Sequence, residues 1–162
     1  MNSNDIMNIL DMIKDPEIPV ISIVELGIIR NVEVKDNKVK VIITPTYSGC
    51  PAMTEIKQDI EKKLILNGIN EFEIRTVLSP AWTTDWMSEE TKQKLKNYGI
   101  APPDKAEDDK DIFKILTQEK KVACPFCSSD NTVKKSEFGS TACKSLFFCN
   151  NCHQPYEHFK CH

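Results

Sequence analysis

The chain has no apolar run long enough to cross a bilayer. Its first residues, Met1-Asn-Ser-Asn-Asp-Ile, have no basic start followed by an apolar core, so no export signal is expected there and no membrane partner. An excess of positive charge is also missing. The 21 Lys and Arg face 24 Asp and Glu, a formal net charge of −3 at pH 7, and residues 122–162 carry four basic groups against three acidic ones. A surface for nucleic acid ordinarily concentrates basic groups on one face, so this balance argues against nucleic acid as a partner. Three catalytic signatures are lacking too: a Glu-x-x-His pair for diiron chemistry, a GxGxxG loop and a histidine-based triad. The expectation is a protein that is not an enzyme.

Cysteine is what the chain does have, seven in all. An odd count without an export signal fits reduced thiols and metal ligation in the cytoplasm better than disulfides. Four of them form two matched pairs, Cys124-Pro-Phe-Cys127 and Cys149-Asn-Asn-Cys152, with 21 residues between the pairs. Each pair puts two thiols on one tight turn, and two such turns facing each other make a tetrahedral sulfur site for zinc. The gap is one residue longer than the usual window, but the hairpin between the knuckles is where zinc ribbons vary. Cys143 and Cys161 are further soft donors that could replace a knuckle cysteine at zinc, bind a second metal, or pack as neutral thiols. His153 and His158 are expected at the surface or in packing. Phe147, Phe148, Tyr156 and Phe159 are candidates for exposed partner contacts, or for packing around the metal.

Residues 1–100 read as one α/β unit. Ile6, Ile9, Leu10 and Ile13 recur at helical spacing, which predicts a helix over about 4–14, stopped at Asp15-Pro16. A short turn or helix over 22–26 ends at Gly27. Val32 and Val34, then Val39, Val41 and Ile43, alternate with polar residues around Asp36-Asn37 and predict a hairpin. Pro51 suits the first turn of a helix carrying Met53, Ile56, Ile60 and Leu64 on one face and stopping at Asn67-Gly68. Phe72, Ile74 and Thr76 alternate as a third strand. Ser88-Glu-Glu-Thr91 reads as the cap of a last helix. The expected fold is α+β: a small two-layer α/β sandwich over 1–100, a charged linker over 101–121 with room for a turn of helix at 112–116, and a β-rich zinc ribbon over 122–162.

Three further groups of residues stand out in the first unit. Thr44-Pro-Thr-Tyr-Ser-Gly-Cys50-Pro51 sets one cysteine where a strand turns into a helix, a position whose N–H groups and dipole favour a thiolate. Read blandly, Cys50 is a small buried hydrophobe; read sharply, it is a metal or cluster ligand or a redox thiol. Asp15-Pro-Glu17-Ile-Pro19 offers two carboxylates on a rigid turn, explained equally by a cap. Trp82 and Trp86, around Thr83-Thr-Asp85, suit a core edge.

Asp15-Pro-Glu-Ile-Pro, Ser22-Ile-Val-Glu-Leu-Gly27, Thr46-Tyr-Ser-Gly-Cys50-Pro and Trp82-Thr-Thr-Asp-Trp together resemble the SufT-like iron–sulfur assembly domain. The tail, from Cys124-Pro-Phe-Cys through Phe138-Gly-Ser-Thr-Ala-Cys-Lys to Phe159-Lys-Cys-His162, resembles the PaaD family, accessory components encoded with the bacterial phenylacetyl-CoA epoxidase. The likeness covers nearly the whole chain. It implies an assembly domain followed by a zinc ribbon, and a role in aerobic phenylacetate breakdown. It also implies help in maturing the epoxidase's diiron oxygenase and its flavin and [2Fe–2S] reductase, with no turnover of its own. The family's reactive cysteine falls on Cys50 and its acidic turn on Asp15 and Glu17. One cysteine cannot hold a [2Fe–2S] cluster, which takes four ligands, so transient iron or a cluster is expected to bridge two Cys50 of a homodimer or to be shared with a client. A structural or regulatory subunit without cargo is the alternative, and a nucleic-acid-binding ribbon a second.

Overall fold

The computed structural model describes residues 2–36, 38–103 and 121–160. They form two compact units, Met1–Thr91 and Lys92–His162. The expected boundary at residue 100 thus falls inside the second unit, for a reason given below. The expected helical turn at 112–116, most of the charged linker, Asn37, Cys161 and His162 lie outside the described residues.

The first unit opens with helix α1 (Ser3–Asp11), shorter at its end than the apolar spacing suggested. Asn2 accepts from the Asp5 N–H at 3.0 Å, and the Asp5 carboxylate accepts from the Asn2 N–H at 2.8 Å, a reciprocal cap. The hairpin follows as β1 (Ile29–Lys35) and β2 (Lys38–Ile43), paired antiparallel. Asp36 takes φ 49°, the left-handed conformation a tight hairpin demands and Asp tolerates. Helix α2 (Ala52–Leu66) then leads to β3 (Phe72–Thr76), which pairs parallel with β2, so the sheet is mixed in the order β1-β2-β3.

The period-2 pattern puts Val39, Val41 and Ile43 on the buried face of β2, while Ile6, Ile9 and Leu10 of α1 and Ile56, Ile60 and Leu64 of α2 are buried as well. The opposite face is polar: Glu33, Lys40 and Glu73 stand side by side across the three strands, with Lys40 3.8 Å from Glu33. One face packed and one solvated is the usual solution for a sheet of this size.

The turn after α1 is held by side chains. Ser22 Oγ donates to Asp11, the Glu25 N–H donates to Ser22 Oγ at 3.0 Å, and Glu25 accepts from the Ser22 N–H at 2.8 Å. Gly27 ends that turn at φ +77°, where a Cβ would stand 3.1 Å from Trp86 Cβ. Trp82 is buried and its indole N–H donates to Leu26 O at 2.9 Å, while the Arg30 guanidinium lies 3.3 Å over the Trp86 ring. The two tryptophans close the core edge, as their spacing suggested. Thr83 caps the short 3-10 turn Thr84–Trp86. Ser88 accepts from the Thr91 N–H at 3.1 Å at the start of α3 (Glu89–Tyr98), and the division between the units falls within this helix.

The second unit contains one four-stranded sheet in the order β4-β7-β6-β5, from β4 (Ile100–Ala101), β5 (Thr132–Ser136), β6 (Lys144–Cys149) and β7 (Pro155–Phe159). Strand β4 pairs parallel with β7, Ile100 beside Glu157 and Ala101 beside His158. Residues expected to end the first domain therefore form an edge of the ribbon sheet.

The core here is small: Ala101, Val122, Cys124, Phe147, Cys149 and Tyr156, with Cys152 packed against it. Phe147 and Tyr156 stack with centroids 5.7 Å apart, and Tyr156 donates to Val122 O at 2.7 Å. Phe147, Tyr156 and Phe159, offered as exposed contacts or as packing, are all buried: Phe147 and Tyr156 are paired on one face of β6 and β7, and Phe159 lies on the other, paired with Lys144. Phe148 is half-buried, and Phe126 and Phe138 are exposed.

Phe138 to Cys143 is a turn folded onto β7. Gly139 N–H donates to Lys144 O at 2.7 Å and Ser140 N–H donates to Glu157. A Cβ on Gly139 would meet the Glu157 carboxylate at 2.5 Å. Lys144 is almost fully buried, and its ammonium lies 2.9 Å from the Glu157 carboxylate. Burial alone would raise the Glu157 carboxyl; the Ser140 N–H and the Lys144 ammonium outweigh it and hold the group below its usual range.

Candidate metal centre

The two Cys-x-x-Cys turns share one local geometry. In the first, Ser128 N–H donates to Cys124 O at 2.9 Å and Cys124 N–H to Ser129 O at 3.0 Å. In the second, His153 N–H donates to Cys149 O at 3.0 Å and Cys149 N–H to Gln154 O at 3.0 Å. The residue after each second cysteine has positive φ, 59° at Ser128 and 57° at His153. That conformation reverses the chain tightly enough to aim both thiols of a pair the same way. The place of His153 is thus set by the backbone: its ring lies 6.4 Å from that of Phe148 and is no member of the sulfur group.

The four thiols converge. All lie within 4.8 Å of one another, with Cys124 Sγ 3.6 Å from Cys152 Sγ and Cys127 Sγ 3.5 Å from Cys149 Sγ. Zinc–sulfur bonds of about 2.3 Å in a tetrahedron put the sulfurs about 3.8 Å apart, within the spread seen here. Donor type, number and spacing therefore fit a closed structural zinc site.

The electrostatics fit as well. The Ser129 backbone N–H and then the Asn151 amide, 3.7 Å from the sulfur, lower the Cys127 thiol from 9.0 to about 6. Burial and then the neighbouring sulfurs push Cys152 up to about 12, against the backbone N–H of Gln154. Four sulfurs this close cannot all be anionic without a cation among them, and a divalent ion displaces the protons they retain.

Cys143 does not join them. It is buried, with Thr141 Oγ1 3.0 Å from its sulfur, and packs as a thiol. Cys161 lies outside the described residues. His158 is buried, its ring edge-on to Phe147 at 5.7 Å, with Nδ1 3.4 Å from Ser145 Oγ.

Cys50 stands half-buried on the turn between β2 and α2, its N–H donating to Tyr47 O at 3.3 Å and its carbonyl accepting from Met53 N–H at 3.3 Å. Ser48, Gly49 and Pro51 around it are exposed. Gly49 has φ +87° with open space where a Cβ would be, so glycine is there for the backbone angle.

Asp15 is buried, and its Oδ1 accepts from the N–H groups of Glu17 and Ile18, both at 2.9 Å, which fixes the turn. Glu17 is half-buried. Among the described residues, Cys50, Asp15 and Glu17 do not gather into a set able to share one ion; only the four ribbon cysteines do. An open cleft of about 390 Å³ near the Ser22–Glu25 turn is lined by Asp11, Glu25, Trp86 and Glu90 and does not include Cys50.

A mixed α/β unit with a cysteine at its strand-to-helix turn, carrying a ribbon with four converging thiols, defines a class: an iron–sulfur assembly domain joined to a zinc ribbon. The family model for iron–sulfur cluster assembly proteins matches residues 3–76, and that for the PaaD zinc beta ribbon domain matches residues 108–160. The chain belongs to the PaaD family. It is 42% identical over 158 residues to an Escherichia coli (strain K12) protein provisionally described as a component of 1,2-phenylacetyl-CoA epoxidase, covering 98% of this chain and 92% of that one. An Fe-S protein maturation auxiliary factor of Porphyromonas gingivalis is 39% identical over 93 residues, 56% of this chain and 88% of its own length. The crystal structure of a domain of unknown function from Bacillus anthracis matches with a TM-score of 0.54 at 32% identity, over 57% of this chain and 90% of that one. No described helix is long and apolar enough to cross a membrane.

Proposed function

We propose that this chain is a non-catalytic maturation factor of phenylacetyl-CoA epoxidase in phenylacetate breakdown. Cys50 lends one thiolate to iron or an iron–sulfur cluster on its way to the reductase and oxygenase subunits. The observation that carries this reading is the half-buried thiol of Cys50 on an exposed turn, with no companion donors gathered around it among the described residues, inside a unit matched by an iron–sulfur assembly family. A site that holds its cargo with one protein ligand binds it loosely, and loose binding lets the cargo leave. The other ligands come from the client. Asp15 shapes the acidic turn on which Glu17 offers its carboxylate.

Zinc held by Cys124, Cys127, Cys149 and Cys152 folds the ribbon, and the ribbon docks the client. Phe126 and Phe138, 55% and 63% exposed, are its contact residues in place of the buried rings. The work takes place in the cytoplasm, where thiols stay reduced.

Cys50→Ser tests the reading. Iron content is measured in reductase and oxygenase co-expressed with the wild type or the variant. Metal-poor clients, with zinc content and complex assembly intact, are expected. Fully loaded clients would leave the chain as a structural subunit of the epoxidase without cargo.

A further inference from the structure

The outer edge of β3 carries the information for pairing with itself. Glu71 O accepts from Val39 N–H and Val77 N–H donates to Ile43 O, each on the β2 side. Residues in a strand alternate the side on which their N–H and C=O point, so residues 71, 73, 75 and 77 face β2. Phe72, Ile74 and Thr76 then direct theirs outward. Among the described residues no strand takes up that edge.

The two edges of the sheet differ. Strand β1 has a bulge between Ile29 and Asn31 and carries Lys35, both of which discourage pairing. Strand β3 runs Phe-Glu-Ile-Arg-Thr with no bulge, proline or lysine, and Glu73, Arg75 and Thr76 are exposed.

We infer that two copies of this chain join through β3, antiparallel, about a two-fold axis at Ile74. The outward-facing groups select that register. Ile74 opposes Ile74 of the second copy and Phe72 opposes Thr76, and each of these pairs exchanges two backbone hydrogen bonds. Glu73 then opposes Arg75 twice, at the closer, non-hydrogen-bonded positions where side chains meet. On the polar face the charge sequence already present, Glu33, Lys40, Glu73, continues with Arg75 of the second copy. On the other face the two half-exposed Ile74 side chains cover each other. A register shifted by one residue would set each outward-bonding residue opposite an inward-bonding one and lose the backbone bonds.

This arrangement bears on how cargo is held. The Thr76 ends of the two strands stand four residues apart along the sheet, about 13 Å at about 3.3 Å per residue. Each Cys50 turn follows Ile43, which is paired with Thr76, so the two turns sit at opposite ends of a six-stranded sheet. One cluster cannot bridge both thiols in this dimer, which leaves each Cys50 to a separate client. The dimer does not depend on the cargo reading, and its test involves no iron.

Sedimentation of the full zinc-loaded chain is the measurement. The wild type is expected at twice 18.5 kDa at about 100 µM. Glu73→Arg and Arg75→Glu each place like charges opposite one another, and each should weaken the dimer by more than about tenfold. The double exchange, Glu73→Arg with Arg75→Glu, should restore it. Both side chains are exposed, so circular dichroism should not change. Hydrogen exchange gives a second reading: the amides of Phe72, Ile74 and Thr76 should gain protection between about 1 and 100 µM protein. A wild type that stays monomeric, a dimer indifferent to both single reversals, a double exchange that remains monomeric, or amides whose protection ignores concentration would each overturn the inference.

Discussion

Lys144 and Glu157 form a pair whose two members are unequally buried, and this asymmetry makes a sharp prediction. The Lys144 side chain is 3% exposed and that of Glu157 23%, with 2.9 Å between their charges. Glu157→Gln leaves a cation buried without its counter-charge, a loss of the kind that costs about 3–5 kcal/mol; the partial exposure of Glu157 places the expected value near about 3 kcal/mol. Lys144→Met removes the buried charge and leaves a carboxylate that reaches water and still accepts from the Ser140 N–H. Its cost should be under about 1 kcal/mol, since an apolar side chain of similar length refills the site.

Urea unfolding of the full chain, followed through the tyrosine and tryptophan signals of each unit, measures both. The carboxyl of Glu157 is held below its ordinary value of 4.5 in the folded state. Its contribution is therefore present above the unfolded value and is lost as pH falls through the lower folded one. The stability gap between wild type and Glu157→Gln should accordingly shrink below about pH 4.5. Lys144→Met as the worse variant, or a gap that widens in acid, would refute the reasoning.

Other perturbations test separate parts of the molecule. Metal analysis should return about one zinc per chain, and either a strong chelator or Cys127→Ser should melt the ribbon while the Met1–Thr91 unit keeps its helical dichroism, because metal binding supplies most of the folding energy of such a module. Gly27→Ala should destabilise the first unit by about 2 kcal/mol in thermal unfolding, from both left-handed strain and contact with Trp86; Gly68→Ala, at φ +79° with nothing within 4 Å, should cost only about 1 kcal/mol.

Period and spacing made much of the first unit readable. The alternation at Val39, Val41 and Ile43 and the helical repeat at Met53, Ile56, Ile60 and Leu64 reflect burial on one face, which sequence records directly. The four zinc-type ligands were readable for a similar reason, since a metal site dictates residue type and spacing together. Burial within the ribbon was harder. Phe147 and Phe148 are adjacent and chemically alike, and only the strand register decides which one turns inward. Ser128 and His153 gave a usable signal that was easy to miss: both follow the second cysteine of a pair, at the position where the knuckle must reverse. The role of Asp15 in tying its own turn could not be told from a ligand's, because a carboxylate serves both. Strand β4 was out of reach, since two residues hold no periodicity and their partner lies more than fifty positions along the chain.

Ile100 and Ala101 have a practical consequence for anyone dissecting this molecule. They sit on the near side of residues 104–120, yet they complete a sheet whose other three strands come from the far side, and Ala101 fills part of its interior. A fragment begun at residue 122 would omit that wall and expose both the margin of β7 and the apolar surface behind it. Excised ribbons should therefore start upstream of Ile100, and a protease nick within the intervening stretch need not release the tail.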